Sequence, residues 1–247
     1  MPEHEITQMR FDASGKPLVD EPMDVTLCLI ATGRYRDFVA DVVHSVRRFF
    51  LPGHYVTIVL FSNAPPPDNL ALYWIPVPHE PWPGPTIHRY RWIAGAEKVL
   101  TRRDYIYYLD VDCRVVSTVG PEIFGNLVGT IHQGYAARSR DEWTCERRPE
   151  SAACIAIERG EWYYAGGFQG GRAEKYLAAS RDLRDCIDRD EQAGVTATWF
   201  DESHWNRYLV DHPPDVSLSP LYCTSDQHLL AHAKILALTK NHARMRT

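Results

Sequence analysis

The stretch that decides the fold runs from Tyr105 to Asp112 and reads YIYYLDVD. Its first five residues are aromatic or aliphatic, which is the composition and length of a buried β-strand. Two carboxylates, Asp110 and Asp112, follow at once. Ligands of α/β proteins bind beyond the carboxyl ends of the strands, so the stretch predicts a strand that ends at a binding site. A strand end with two solvated acids is the alternative.

The residues before this strand predict a parallel β-α-β unit. Val25 to Ala31 is a dense apolar run of strand length, and Tyr55 to Phe61 is a second one. Between them, Arg36 to Phe50 carries apolar residues at helical spacing, and Pro52 stops the helix. A helix that connects two strands over this length favours a parallel sheet and therefore an α/β fold.

The remaining pattern alternates between short strands and helices. It predicts, in chain order, a strand from Tyr73 to Val77, a helix from Ile87 to Leu100, strands near 129–138 and 162–168, and helices from Arg172 to Arg189 and from Asp201 to His212. There is no internal repeat and no linker-like segment. The sequence therefore predicts a polar lead-in over residues 1–24 and a single domain over residues 25–247.

The composition excludes several classes of protein. The chain has 247 residues, of which 45% are hydrophobic and 24% charged, so wholesale disorder is excluded. Its net charge of −5 provides no basic field, so a nucleic-acid partner is not expected. The six cysteines form no C-x-x-C pair, and no apolar run has signal-peptide or membrane length. We expect a soluble, cytoplasmic protein without a membrane anchor.

Two Asp-x-Asp strings differ in their surroundings. Asp188 and Asp190 lie among other charged residues, which predicts a solvated helix face. Asp110 and Asp112 instead follow an apolar strand, where two carboxylates suit a hard divalent cation that also holds a diphosphate. Mn²⁺ is the expected metal, with Mg²⁺ as the other option.

Three further segments each have two interpretations. The four glycines in residues 163–171 allow either close approach to a ligand or tight turns. Residues 199–205 place Asp201 and Glu202 between aromatic residues, which suits a bound sugar, but Asp201 also suits a helix N-cap. The basic residues 240–246 are either a frayed tail or a flap over phosphate.

Several long strings, taken in order, resemble glycosyltransferase family 6, the retaining α-1,3-galactosyl- and N-acetylgalactosaminyltransferases that include the histo-blood-group A and B transferases. The strings are YLDVDCRV (108–115), GTIHQGY (129–135), TCERRPES (144–151), WYYAGGFQGG (162–171), WFDESHWNRYL (199–209), LSPLY (218–222) and KNH (240–242). The resemblance implies a GT-A-type α/β fold, with a mixed sheet and a Rossmann-like nucleotide-binding half.

The resemblance also implies an activity. It is the transfer of GalNAc or Gal, with retention, from a UDP-sugar to a β-galactoside acceptor, for which a fucosylated form is one option. Residues 25–125 would mainly bind the UDP-sugar, residues 126–235 would mainly bind the acceptor and catalyse, and residues 236–247 would form a flap. A carbohydrate-binding protein without turnover and a UDP-sugar hydrolase are the alternatives.

The resemblance assigns roles residue by residue. Glu202 matches the catalytic carboxylate, and Asp110 and Asp112 match the metal-binding acids. The matched donor-binding positions are Ile30, Ala31, Thr32, Tyr35, Arg89, Val111, Ala165, Gly166, Gly167, Asp201, Lys240 and Arg246. The matched acceptor-binding positions are His132, Thr144, Trp199, Glu202 and Asp226. Because Ala165 and Gly167 are small, we expect UDP-GalNAc to be preferred over UDP-Gal.

Overall fold

A computed structural model describes residues 10–11, 17–18 and 21–245. Most of the predicted lead-in and the last two residues, which include Arg246, lie outside this part of the chain. The strands are β1 (Arg10–Phe11), β2 (Pro17–Leu18), β3 (Asp24–Ala31), β4 (Tyr55–Ser62), β5 (Tyr73–Pro76), β6 (Tyr105–Leu109), β7 (Cys113–Val115), β8 (Val128–Ile131), β9 (Tyr164–Arg172), β10 (Val216–Leu218), β11 (Thr224–Ser225) and β12 (Ile235–Ala237).

The helices differ widely in length. They are α1 (Val39–Phe49), α2 (Gly84–Ile87), α3 (Arg89–Gly95), α4 (Glu97–Leu100), α5 (Ala173–Gln192), α6 (Phe200–Asp211) and α7 (His242–Met245). Short 3₁₀ turns occupy Gly33–Phe38, Asp68–Leu70, Pro121–Ile123, Arg140–Glu142 and Pro220–Tyr222. Within the described ranges, no helix is both long enough and apolar enough to span a bilayer.

Seven strands form one mixed sheet in the order β10-β8-β9-β6-β3-β4-β5. Strands β6, β3, β4 and β5 are mutually parallel, as the β-α-β pattern predicts, whereas β9 runs antiparallel to both β6 and β8. The predicted α/β fold with a mixed sheet is therefore confirmed. A second, three-stranded sheet joins β7 to β12 and β11, and so brings the C-terminal segment beside the end of β6.

Helices cover both faces of the main sheet, which explains why β3 and β6 are almost entirely apolar. Within β6 the side chains alternate. Tyr105, Tyr107 and Leu109 join the core beneath α1, while Ile106 and Tyr108 join the core beneath α3, α5 and α6. The stretch that decides the fold thus contributes to both cores before it ends at the two aspartates.

Two helices differ from the sequence prediction. The helix predicted from Ile87 to Leu100 is divided into α2, α3 and α4, because His88 and Ala96 both leave the helical conformation, with ψ near 8°. The helix predicted from Arg36 begins only at Val39, after a 3₁₀ turn. The break at His88 separates α2 from Arg89, the first residue of α3.

The prediction that Asp190 lies on a solvated helix face is wrong. Its neighbour Asp188 is partly exposed and pairs with Arg91 at 2.7 Å. Asp190 is buried, and its carboxylate accepts hydrogen bonds from the Ser151 hydroxyl at 2.5 Å and from the backbone N–H of Ala152 at 2.7 Å. The last turns of α5 are covered by the loop that contains Ser151, and local composition cannot show that cover.

We therefore predict opposite outcomes for two alanine variants on one helix. Asp190→Ala removes the partner of a buried hydroxyl and a backbone N–H, and should lower the free energy of unfolding by about 2–4 kcal/mol. Asp188→Ala removes only a partly exposed ion pair, and should cost less than about 1 kcal/mol. Urea denaturation of both variants tests the difference. Equal losses would show that the Asp190 contacts do not hold the loop.

Candidate active site

A cavity of about 470 Å³ opens where β3 and β6 end, at the carboxyl edge of the sheet. Its other walls are formed by Gly166 and Gly167 of β9, by the first turn of α6 and by the C-terminal segment. The sequence-predicted site residues that line it are Ile30, Thr32, Tyr35, Arg89, Asp110, Val111, Asp112, Gly166, Gly167, Trp199, Asp201, Glu202 and Lys240. The fold thus brings together residues that span most of the chain.

The other predicted site residues lie elsewhere. Those that do not line the cavity are Ala31, His132, Thr144, Ala165 and Asp226, and Arg246 lies outside the described residues. Ala31 and Ala165 are buried within β3 and β9. Asp226 accepts hydrogen bonds from the backbone N–H of Thr239 at 2.9 Å and from its hydroxyl, so this carboxylate anchors the C-terminal segment just before Lys240.

Arg89 is the centre of the site. Its guanidinium is buried and donates to the Gly166 carbonyl at 2.6 Å and to Asp110 Oδ1 at 3.1 Å. Asp201 Oδ2 lies 3.0 Å from Nη1, and the Tyr108 ring centroid lies 3.9 Å from Cζ. Burial lowers the pKa of Arg89, but the charge of Asp201 and its other neighbours outweigh burial, so the pKa lies well above its ordinary value. The guanidinium is therefore a permanent cation that links two carboxylates.

Asp201 is buried in the first turn of α6. Burial raises its pKa from an ordinary 3.8 to about 7, although the charge of Arg89 opposes this shift. The alternative role of Asp201 as a helix N-cap is wrong, because Trp199 is the N-cap residue and α6 has no side-chain cap. Of its two oxygens, Oδ2 has no aligned hydrogen-bond donor among the described residues. This oxygen is itself buried, and it is the one that lies 3.0 Å from Arg89 Nη1.

Glu202 faces the same cavity from the next position of α6. Its Oε1 accepts a hydrogen bond from the Tyr163 hydroxyl at 2.9 Å, and its Oε2 accepts one from the backbone N–H of Gly166 at 2.8 Å. Burial and the charge of Glu202 raise the pKa of Tyr163, so the phenol stays protonated and remains a donor. Two fixed donors therefore orient the Glu202 carboxylate.

The donor set at the end of β6 suits a hard divalent cation that is shared with a ligand. Asp110 and Asp112 are its two carboxylates, and the described residues contain no cluster of three or more metal-ligating side chains. Mg²⁺ and Mn²⁺ are commonly held by one or two carboxylates plus substrate phosphates and water. The Lys240 ammonium contacts Asp112 Oδ2, so this carboxylate already faces a positive charge. These residues fit a metal that holds a diphosphate.

Three of the predicted acceptor residues, His132, Thr144 and Trp199, lie near one another at the rim of the cavity. Trp199 is 47% exposed, and its indole N–H donates to Thr144 Oγ1 at 2.7 Å. The Tyr135 hydroxyl bonds the same Oγ1 at 2.7 Å. The His132 ring packs edge-on against Tyr163, which in turn binds Glu202. His132, Thr144 and Trp199 are therefore connected through Tyr135, although only Trp199 lines the cavity.

Sequence reasoning missed three buried side chains that hold this site. Tyr108 and Tyr163 donate hydrogen bonds to Asp110 and Glu202, respectively. Glu146 accepts hydrogen bonds from both the backbone N–H and the hydroxyl of Thr198, which precedes Trp199. Each of the three residues lies within one of the sequence strings that resemble the family. The string alone does not show which group the side chain binds in the folded protein. Only Glu146, which directly precedes Arg147 and Arg148, provided a visible signal.

Comparison with known proteins gives a consistent result. Residues 18–247 match the family described as Glycosyltransferase family 6. Globoside alpha-1,3-N-acetylgalactosaminyltransferase 1 of Canis lupus familiaris is 34% identical over 220 residues, which are 84% of this chain and 63% of that protein. Histo-blood group ABO system transferase 1 of Rattus norvegicus is 32% identical over 238 residues, which are 90% of this chain and 68% of that protein.

A more distant relative has a different donor sugar in its name. Alpha-1,3-galactosyltransferase 2 of Homo sapiens is 25% identical over 226 residues, which are 87% of this chain and 66% of that protein. The chain thus spans about two thirds of the length of these relatives. The names of the canine and the human relative both state an alpha-1,3 linkage. They differ in the sugar, which is N-acetylgalactosamine in the first name and galactose in the second.

The raised pKa of Asp201 predicts a pH-dependent stability difference. The folded protein binds a proton at Asp201 that the unfolded chain releases, so between about pH 4 and pH 7 stability falls as pH rises. Asp201→Asn removes this penalty. The melting temperature of the variant, minus that of the wild type, should therefore be more positive at about pH 8 than at about pH 5, as measured by differential scanning fluorimetry.

Glu146→Gln is the matched control, because the hydrogen bonds from Arg148 and others lower the pKa of Glu146 to about 2. Its stabilisation is complete above the ordinary carboxylate pKa and is lost only in acid, so its melting-temperature difference should stay constant between about pH 5 and pH 8. A constant difference for Asp201→Asn as well would contradict the burial argument.

Proposed function

The chain belongs to glycosyltransferase family 6, and from that premise we propose that it is a retaining α-1,3-glycosyltransferase that uses a UDP-sugar donor and a β-galactoside acceptor. The observation that carries the proposal is the cation–carboxylate cluster in one cavity. Arg89 joins Asp110, on the proposed diphosphate side, to Asp201, on the proposed sugar side. Glu202 faces the space between them.

In this proposal the nucleotide binds at the β3 side of the cavity. Ile30, Thr32, Tyr35 and Val111 line that side, where an apolar and aromatic wall suits a base and its ribose. The diphosphate lies over the end of β6, and Lys240 approaches it from the C-terminal segment. Residues 236–247 then act as the flap, and residues 25–247 act as one catalytic domain.

Asp110 and Asp112 are the residues that would hold Mn²⁺ or Mg²⁺. When bound, such an ion supplies Lewis acidity that neutralises charge as the UDP diphosphate leaves. The Lys240 ammonium adds a second positive charge on the same side. Because these groups are already positioned, little reorganisation is needed when charge develops on the leaving group.

On the sugar side, Glu202 stabilises positive charge rather than negative charge. As the bond between the anomeric carbon and the diphosphate lengthens, positive charge develops on the sugar ring. Hydrogen bonds from Tyr163 and from the Gly166 N–H fix the Glu202 carboxylate where it can stabilise that charge. Asp201 lines the same cavity, where its carboxyl group suits the donor sugar's hydroxyl groups. Trp199, which is exposed at the rim, suits stacking against the acceptor galactoside.

The expected preference between donor sugars depends on Gly167, one of the two glycines of β9 that line the cavity. A Cβ at Gly167 would lie 3.0 Å from Cys223 Sγ and 3.2 Å from Asp110 Oδ2, so this cavity-lining position has no room for a side chain. Gly167 carries no side chain that could exclude an N-acetyl group, whereas Ala165 lies within β9 and does not line the cavity. We expect UDP-GalNAc to be preferred over UDP-Gal by about 1–3 kcal/mol in kcat/KM.

The test is transfer of radiolabelled sugar to lactose. We expect a new α-1,3-linked product with UDP-GalNAc, a smaller yield with UDP-Gal, and no transfer after exhaustive EDTA treatment. Glu202→Gln removes the charge that opposes the developing cation, and should lower turnover about 10²-fold or more. Glu174→Gln, at an exposed position of α5, should leave turnover unchanged.

Each other outcome has a definite meaning. Free sugar formed at the same rate with and without lactose would identify a UDP-sugar hydrolase. Sugar binding without any turnover would identify a carbohydrate-binding protein. Full transfer in EDTA would contradict the metal site, and normal turnover of Glu202→Gln would contradict the role of that carboxylate. Repeating the assay with a fucosylated acceptor then defines the acceptor class.

A further inference from the structure

We propose that Tyr108 is a positioning residue that holds Asp110 in the orientation needed to bind a divalent cation. The inference rests on the proposed metal site and extends it to a side chain that is not itself a ligand. Tyr108 is buried on the α3 face of β6, two residues before Asp110. Asp110 directly follows the end of β6, and the hydrogen bond between the two side chains places them on the same side of the chain.

Tyr108 makes two contacts that act on the same carboxylate. Its hydroxyl donates to Asp110 Oδ1 at 2.6 Å. Its ring lies under the Arg89 guanidinium, which donates to the same Oδ1 from Nη2 at 3.1 Å. The phenol thus binds Asp110 directly, and it also supports the arginine that binds Asp110. Both contacts hold the carboxylate at Oδ1.

These contacts occupy one oxygen of Asp110 and leave the other for a ligand. Both donors are directed at Oδ1, whereas Oδ2 faces Gly167, where a Cβ would lie 3.2 Å from it. The Asp110 side chain remains 35% exposed, although Tyr108 and Arg89 are buried. Partners that orient a ligating carboxylate typically change metal affinity by about 10- to 100-fold when they are removed.

The test compares two tyrosines of the same strand. Tyr108→Phe keeps the ring over Arg89 but removes the hydroxyl. Tyr107→Phe is the matched control, because Tyr107 is also buried and its hydroxyl donates to the Ile123 carbonyl at 2.6 Å on the opposite face of the sheet. Both variants lose one buried phenolic hydrogen bond. The readout is the Kd for Mn²⁺ in the presence of saturating UDP, measured from the electron paramagnetic resonance signal of free Mn²⁺.

We expect Tyr108→Phe to weaken Mn²⁺ binding about 10-fold or more, and Tyr107→Phe to bind Mn²⁺ like the wild type. A variant with p-aminophenylalanine at position 108 keeps a donor of similar reach, and should restore most of the affinity. This third protein also tests the idea if the phenylalanine variant does not fold.

Three outcomes would overturn the inference: unchanged Mn²⁺ binding by Tyr108→Phe, an equal loss in Tyr107→Phe, or no recovery with the p-amino group. Failure of the proposed function gives a different result. If the wild-type protein itself does not bind Mn²⁺ with UDP, the metal site is wrong, and the role of Tyr108 in it is wrong as well.

Discussion

A buried guanidinium is the constraint on which the site depends. Burying the charge of Arg89 is costly unless it is fully paired, and a buried ion pair that loses one partner destabilises a protein strongly. The partners come from three elements besides α3: the end of β6 provides Asp110, β9 provides the Gly166 carbonyl, and α6 provides Asp201. The need to pair one cation therefore fixes the relative positions of the elements that form the cavity.

The backbone of Gly166 connects Arg89 to Glu202. Gly166 accepts a hydrogen bond from Arg89 at its carbonyl and donates one to Glu202 at its N–H. Both groups are available because the pairing of β9 with β8 shifts between Gly129 and Thr130, where the ladder is irregular. The bulge thus releases backbone groups from the sheet for the site. The site has a permanently positive centre with carboxylates around it, an arrangement suited to separating charge between a leaving diphosphate and a sugar cation.

The sequence predicted what is local and missed what depends on distant partners. The strand at Tyr105–Leu109 and its two aspartates were predictable, because apolar composition and the position of the acids lie within one short stretch. Family strings added most of the cavity-lining residues. The hydrogen bonds of Tyr108 and Tyr163 were not predictable, because a buried tyrosine does not show in sequence which acceptor its hydroxyl meets. Asp190 was misplaced for the same reason, since its cover comes from a loop that lies about 40 residues away in sequence.

The central claim is that Arg89 organises both halves of the site, and one comparison on α3 tests it most directly. Arg89→Lys keeps a positive charge but loses the planar fork that bridges Asp110 and Asp201, whereas Arg91→Lys alters a partly exposed arginine that pairs with Asp188 and Glu191. The measurement is UDP affinity by calorimetry with and without Mn²⁺. We predict that Arg89→Lys loses about 10-fold or more of the Mn²⁺-dependent affinity and that Arg91→Lys retains it. Wild-type affinity in a folded Arg89→Lys protein would contradict the account.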